Sequence, residues 1–149
     1  MKKDFVMRGK TASGKTEVLN FSGFKPGMAY RMTAFDIYPS TGLGANNLEL
    51  QATVTAAKTF EDPENPNFNN EGLIATALFA MSSSAAQPRQ GVSIVNDTFL
   101  ITQDLILAVV DTQAGSPMDV NWQCRFESVK MSGPEEAVAN YKQFTISDE

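Results

Sequence analysis

The sequence predicts an all-β fold, an antiparallel β-sandwich of about eight strands, in a single domain spanning residues 1–149. Three observations predict it. Apolar and polar residues alternate with period two in several short stretches, which puts one face of each stretch indoors. Gly, Pro, Asn and Asp punctuate the chain between those stretches. No amphipathic helix is found between residues 28 and 130, so the covers that a parallel sheet needs on both faces are missing.

Taken in order, Phe5-Val6-Met7-Arg8 is a thin strand at best, and Lys10–Lys15 reads as a polar, Gly-containing hairpin turn. Strands are expected over Glu17–Phe21 and Ala29–Tyr38, with a turn at residues 40–44. The clearest alternation follows at Asn47–Thr55, where Leu48, Leu50, Ala52 and Val54 share one face. Residues 62–70 hold two prolines and four asparagines, a composition that defeats both helix and ladder and reads as a long surface loop. Leu73–Met81 is apolar almost throughout; periodicity does not separate a buried strand from a short buried helix, and we read it as a strand. Gly91–Val95 and Asp104–Val110 are further strands, and residues 113–117 form a turn. Val120, Trp122, Cys124 and Phe126 alternate with polar residues, so Cys124 reads as a small buried hydrophobe. At the end, Ser132 caps and Pro134 opens a short helix over Glu135–Lys142, with Glu135 and Glu136 at its positive end.

Composition narrows the function classes. The chain has 149 residues, 42% of them hydrophobic and only 19% charged, against roughly 25% charged in an average domain. A low-charge surface suits a protein whose faces are covered by neighbours. The net charge of −5 and the lack of any basic run beyond Lys2-Lys3 oppose direct nucleic-acid binding. The N-terminal apolar run stops after three residues, short of a signal-peptide core or a membrane span, so the expected site of synthesis is the cytosol. One cysteine rules out an internal disulfide, and zero histidines rule out Ser-His-Asp and Cys-His hydrolysis. Glu61, Asp62 and Glu64 lack the spacing of a calcium loop, and no metal or other cofactor is expected.

One motif competes with this bland picture. Gly9-Lys10-Thr11-Ala12-Ser13-Gly14-Lys15-Thr16 fits G-x-x-x-x-G-K-[ST], the loop that cradles nucleotide phosphates, with Lys15 for the β/γ-phosphates and Thr16 for Mg²⁺. Leu105–Asp111, an apolar strand ending in an acid, imitates its usual partner strand. The motif works only between a buried strand and a long helix. Here Ser22-Gly23 and Pro26-Gly27 would stop a helix begun at Thr16 after about two turns. Gly9, Gly14, Lys15 and Thr16 are therefore read as a chance match; a nucleotide-binding enzyme is the alternative. A carbohydrate- or receptor-binding sandwich is a third reading, weakened because Trp122 falls on the apolar side of its strand.

Arg8–Gly14, Tyr30-Arg31-Met32, Asp62–Gly72, Asn96–Leu105 and Asn121–Glu127 leading to Glu135-Glu136-Ala137-Val138 carry a resemblance over most of the chain. Their order resembles that of small jelly-roll structural proteins of marine and other environmental bacteriophages. The resemblance implies a capsid or capsid-associated subunit, made in the host bacterial cytoplasm and carried in the virion. Its partners would be copies of itself and other virion proteins, with no catalytic residues. The contacts are expected from both termini, the 61–71 loop and the 82–90 loop, through Phe5, Asn65, Phe68, Asn69, Pro88, Arg89 and Phe144.

Overall fold

A computed structural model describes residues 4–21, 27–40, 48–56, 59–81, 90–112, 118–131, and residues 134 and 138. The described residues form eight strands: β1 Asp4–Thr11, β2 Thr16–Leu19, β3 Met28–Pro39, β4 Leu48–Thr55, β5 Leu73–Met81, β6 Gln90–Val95, β7 Leu105–Asp111 and β8 Val120–Lys130. They form two antiparallel sheets, ordered β1-β8-β3 and β2-β7-β4-β5-β6. Of the expected helix over Glu135–Lys142 only Val138 is described, and it has helical backbone, as does Pro134 before it; the rest lies outside the described residues.

The two sheets bury one apolar layer between them. Met32, Phe35, Ile37, Trp122, Cys124 and Phe126 come from the smaller sheet; Leu50, Ala52, Val54, Leu105, Leu107 and Val109 come from the larger. At β8 the pleat does what the alternation implies, with Val120, Trp122, Cys124, Phe126 and Ser128 all buried. Each large core side chain removed from water contributes about 1.5–3 kcal/mol.

The pairings β1–β8, β2–β7 and β4–β5 are those of one long hairpin wrapped over itself, the plan of a jelly roll. Such a wrap also pairs β3 with β6. Here β6 takes β5 as its ladder partner instead, while β3 packs across β4, β5 and β6 of the other sheet.

Two expectations change. β1 is a full eight-residue strand, because its inward positions are filled by Phe5, Met7 and Thr11 and by Gly9, over which the Trp122 ring lies. The polar turn after it is not a hairpin. β1 and β2 belong to different sheets, so Ala12–Lys15 is a corner that carries the chain from one layer to the other.

Candidate interaction face

The letters of the phosphate-loop motif each have a structural task. A Cβ added at Gly9 would stand 2.8 Å from Trp122 Cζ2, closer than carbon atoms pack. Thr11 is buried, and its Oγ1 accepts the indole N–H of Trp122 at 2.9 Å and donates to Glu17 Oε1 at 3.4 Å. Gly14 has φ +81° in a turn closed by Lys15 N–H donating to Ala12 O at 3.1 Å, the third position of a type II turn.

The corner is also fastened to β7. Gly14 N–H donates to Val109 O at 2.9 Å, and Asp111 N–H donates to Ser13 Oγ at 2.8 Å. The amides of Gly14 and Lys15, which would face phosphate in a nucleotide site, are thus engaged by the protein itself. Thr16 opens β2, with no helix behind it. In the β2–β7 register Thr16 stands opposite Ala108 on the outer face, whereas Asp111 is turned inward and accepts Met118 N–H at 3.3 Å. The two residues that would share a magnesium ion occupy opposite faces of one sheet. Among the described residues no group of three His, Cys, Asp or Glu is placed to hold a metal, and no helix is long and apolar enough to cross a membrane.

The contrast between the two outer faces is the most distinctive surface feature. On the three-stranded sheet, cross-strand rows read Asp4–Glu127–Arg31, Val6–Arg125–Ala34, Arg8–Gln123–Asp36 and Lys10–Asn121–Tyr38. Charges of both signs are interspersed, and Arg31 Nε lies 3.3 Å from Glu127 Oε1. That is a face built for water.

The five-stranded sheet reads differently. Its outward rows are Val18–Ile106–Thr55, Thr16–Ala108–Thr53–Thr76–Ile94 and Val110–Gln51–Leu78–Val92, with Glu49 and Ala80 beyond. Among these described positions Glu49 alone is charged. Val18, Val92 and Ile94 are 63%, 58% and 52% exposed, and Leu78 is partly exposed too.

A loop over residues 59–72 roofs part of this face. Thr53 Oγ1 donates to Glu61 O at 2.7 Å and Glu61 N–H donates to Thr55 Oγ1 at 3.2 Å, which is why both threonines are buried on the outward side of β4. The loop holds its own shape. The Glu61 carboxylate accepts Asn67 N–H at 3.1 Å and Asn70 Nδ2 at 2.6 Å. Asp62, Asn67 and Asn70 side chains accept the amides of Glu64, Asn69 and Gly72 at 2.9–3.0 Å, each two residues on. Of the four asparagines, Asn67 and Asn70 thus serve as turn formers, and Asn65 Nδ2 donates to Asp62 Oδ2 at 3.3 Å.

This rigid loop leaves Phe60 and Phe68 in solvent, 52% and 61% exposed. Phe68 leans over a cleft of about 210 Å³ shared with Leu73, Ile74, Thr76, Ile94 and Asn96. Phe68 thus extends the apolar sheet face, on a loop that also exposes Asn65, Asn69, Asp62, Glu64 and Glu71. Phe5, in contrast, is turned inward: its ring stacks on Phe126 at 5.4 Å and meets Tyr30 edge-on at 5.5 Å. Pro88, Arg89 and Phe144 lie outside the described residues. Sequence reasoning placed contacts on loops and tails and missed the sheet face and Phe60. The signal was there in the near absence of charge from Leu73–Met81, Gln90–Val95 and Leu105–Val110, but which strands adjoin is a long-range fact.

Comparison with protein-family models and with curated protein sequences finds no match to this chain.

Proposed function

We propose that this chain is a structural subunit that works by being packed into an assembly through the uncharged outer face of its five-stranded sheet. The observation that carries the reading is the difference between the two sheets. One outer face is densely charged, and the other presents valine, isoleucine, leucine and threonine on its strands, with Glu49 the one carboxylate among those described strand positions; the loop beside it adds exposed Phe60 and Phe68 along with its own carboxylates. A contiguous uncharged face of this kind marks an interaction surface.

The assembly we propose is a viral particle, with the chain as a capsid or capsid-decorating protein of jelly-roll type. Support comes from the β1–β8, β2–β7 and β4–β5 pairings together with the resemblance carried by Asp62–Gly72 and Asn121–Glu127. Copies of the chain and other particle proteins are then its partners.

Light scattering and electron microscopy of the purified chain over rising concentration test the proposal. Regular oligomers, sheets or curved shells are expected. A strict monomer at the highest attainable concentration, alone and in the presence of intact particles, overturns it.

A further inference from the structure

We propose that β6 is an assembly edge, and that it pairs antiparallel with β6 of a second copy about a two-fold axis near Ser93. This deepens the assembly reading and rests on it.

The argument begins with hydrogen-bond parity. Asn96 N–H donates to Ile74 O at 2.8 Å, continuing the β5–β6 register by one step. In an antiparallel ladder, opposed pairs alternate between bonded and unbonded. Ile94 and Val92 therefore bond to β5, and Gly91, Ser93 and Val95 turn their N–H and C=O groups away from it. In a complete wrap β3 would receive them. Instead β3 and β6 are separated by a gap of about 130 Å³, lined by Asp36 and Ile37 on one side and Gly91, Val92 and Ser93 on the other. Among the described residues β6 has no ladder partner but β5.

The strand also overhangs the smaller sheet. Val92 and Ile94 are exposed on the outer face, and Gly91 and Ser93, which point the other way, are exposed as well. The other edge strands are each protected in a recognisable way. β1 carries Asp4, Arg8 and Lys10; β2 is four residues long with Glu17; β3 has Arg31, Asp36, a bulge between Met32 and Ala34, and Pro39. Gln90–Val95 has no charge, no proline and no bulge.

An open strand edge is satisfied by another extended strand, and charge selects which. A net charge of −5 opposes the general approach of a second copy, and an uncharged edge adds no local repulsion or desolvation of charge to that cost. Among this chain's described edges β6 alone is uncharged, so β6 is its own best complement. Pairing about Ser93 opposes Ser93 to Ser93 of the other copy and Gly91 to Val95, and joins the two uncharged sheet faces into one. Such an isologous contact is self-closing. It is smaller than the roughly 800 Å² per partner of a standard interface, so the pair forms at high protein concentration and is reinforced by the rest of the face within an assembly.

Sedimentation equilibrium of the full chain tests this with two variants. Ser93→Pro removes an N–H that β5 does not use, and Ile94→Lys puts a cation on the exposed side. Each should raise the dimer dissociation constant by roughly tenfold or more while leaving the far-ultraviolet circular dichroism spectrum and cooperative melting intact. Ser93→Cys in a Cys124→Ala background should form a disulfide-linked dimer under mild oxidation. Dimers that ignore both variants or fail to cross-link overturn the β6 pairing while leaving the assembly reading in place. Resistance of the Gly91, Ser93 and Val95 amides to hydrogen exchange in the monomer overturns the pairing too, for then β3 has already taken them.

Discussion

At the scale of single residues, the space under Trp122 leaves no room for a side chain at position 9. The indole lies on Gly9 and its N–H is held by Thr11, so one ring contact and one side-chain hydrogen bond reinforce the β1–β8 ladder. Gly9→Ala should cost about 1–3 kcal/mol, because the new methyl must displace a ring with packed core behind it. At about 2–4 °C per kcal/mol for a chain of this size, a thermal melt reads it directly. Lys15→Ala removes only an exposed side chain, and should leave the melting temperature unchanged; Mg²⁺-ATP should not raise it for either protein. Cys124 supplies a pH test. Burial, with a smaller push from the Asp36 carboxylate, raises its thiol from 9.0 to about 12. The folded state then holds the proton more tightly than the unfolded chain, so this contribution is fully present below pH 9 and is lost as pH rises toward 12. Denaturant titrations of the native chain and Cys124→Ala over that range should converge as pH rises. The inward direction of Cys124 was legible from alternation alone. The partnership of Gly9 with Trp122 was not, since 113 residues separate them and no local pattern announces which glycine lies beneath which ring.

At the scale of elements, the 59–72 loop shows how far composition reaches. Its prolines and asparagines announce an irregular segment, and the Asx turns at Asp62, Asn67 and Asn70 are the mechanism behind that announcement. What composition does not announce is the anchor. Glu61 ties the loop to itself through Asn67 and Asn70, and to β4 through its backbone at Thr53 and Thr55. Glu61→Ala should leave two donors without their carboxylate and cost about 1–3 kcal/mol. Hydrogen exchange should show the loss at the backbone amide of Asn67 first, with β7 and β8 protected as before; uniform loss across all strands would mean that the loop is part of the global core. Strand boundaries were close where alternation was clean, as in β4 and β8. They were poorest at β1, where a half-buried Phe5 and Met7 separated by Val6 and followed by a glycine give little local contrast.

At the scale of the whole molecule, two sheets with unlike outer faces make opposite demands on solvent. The all-β class was readable from period and punctuation, because those are local. The difference between the faces was hidden, because it depends on which strands lie side by side. It yields a prediction about driving force. A contact made by Val18, Ile106, Val110, Leu78, Val92 and Ile94 draws on apolar burial, so excluded salts such as sulfate should strengthen association. An assembly held by ion pairs would instead weaken as the Debye length falls from about 10 Å at 0.1 M toward 3 Å at 1 M. Charge reversal provides the control. Arg8→Glu and Lys10→Glu on the three-stranded sheet should leave the oligomer unchanged, whereas Leu78→Glu, between Gln51 and Val92 on the uncharged face, should dissolve it. Light scattering in rising sulfate and in rising chloride separates the cases: if both salts dissociate the oligomer, or if the Arg8 and Lys10 variants do, the charged face is the one that binds.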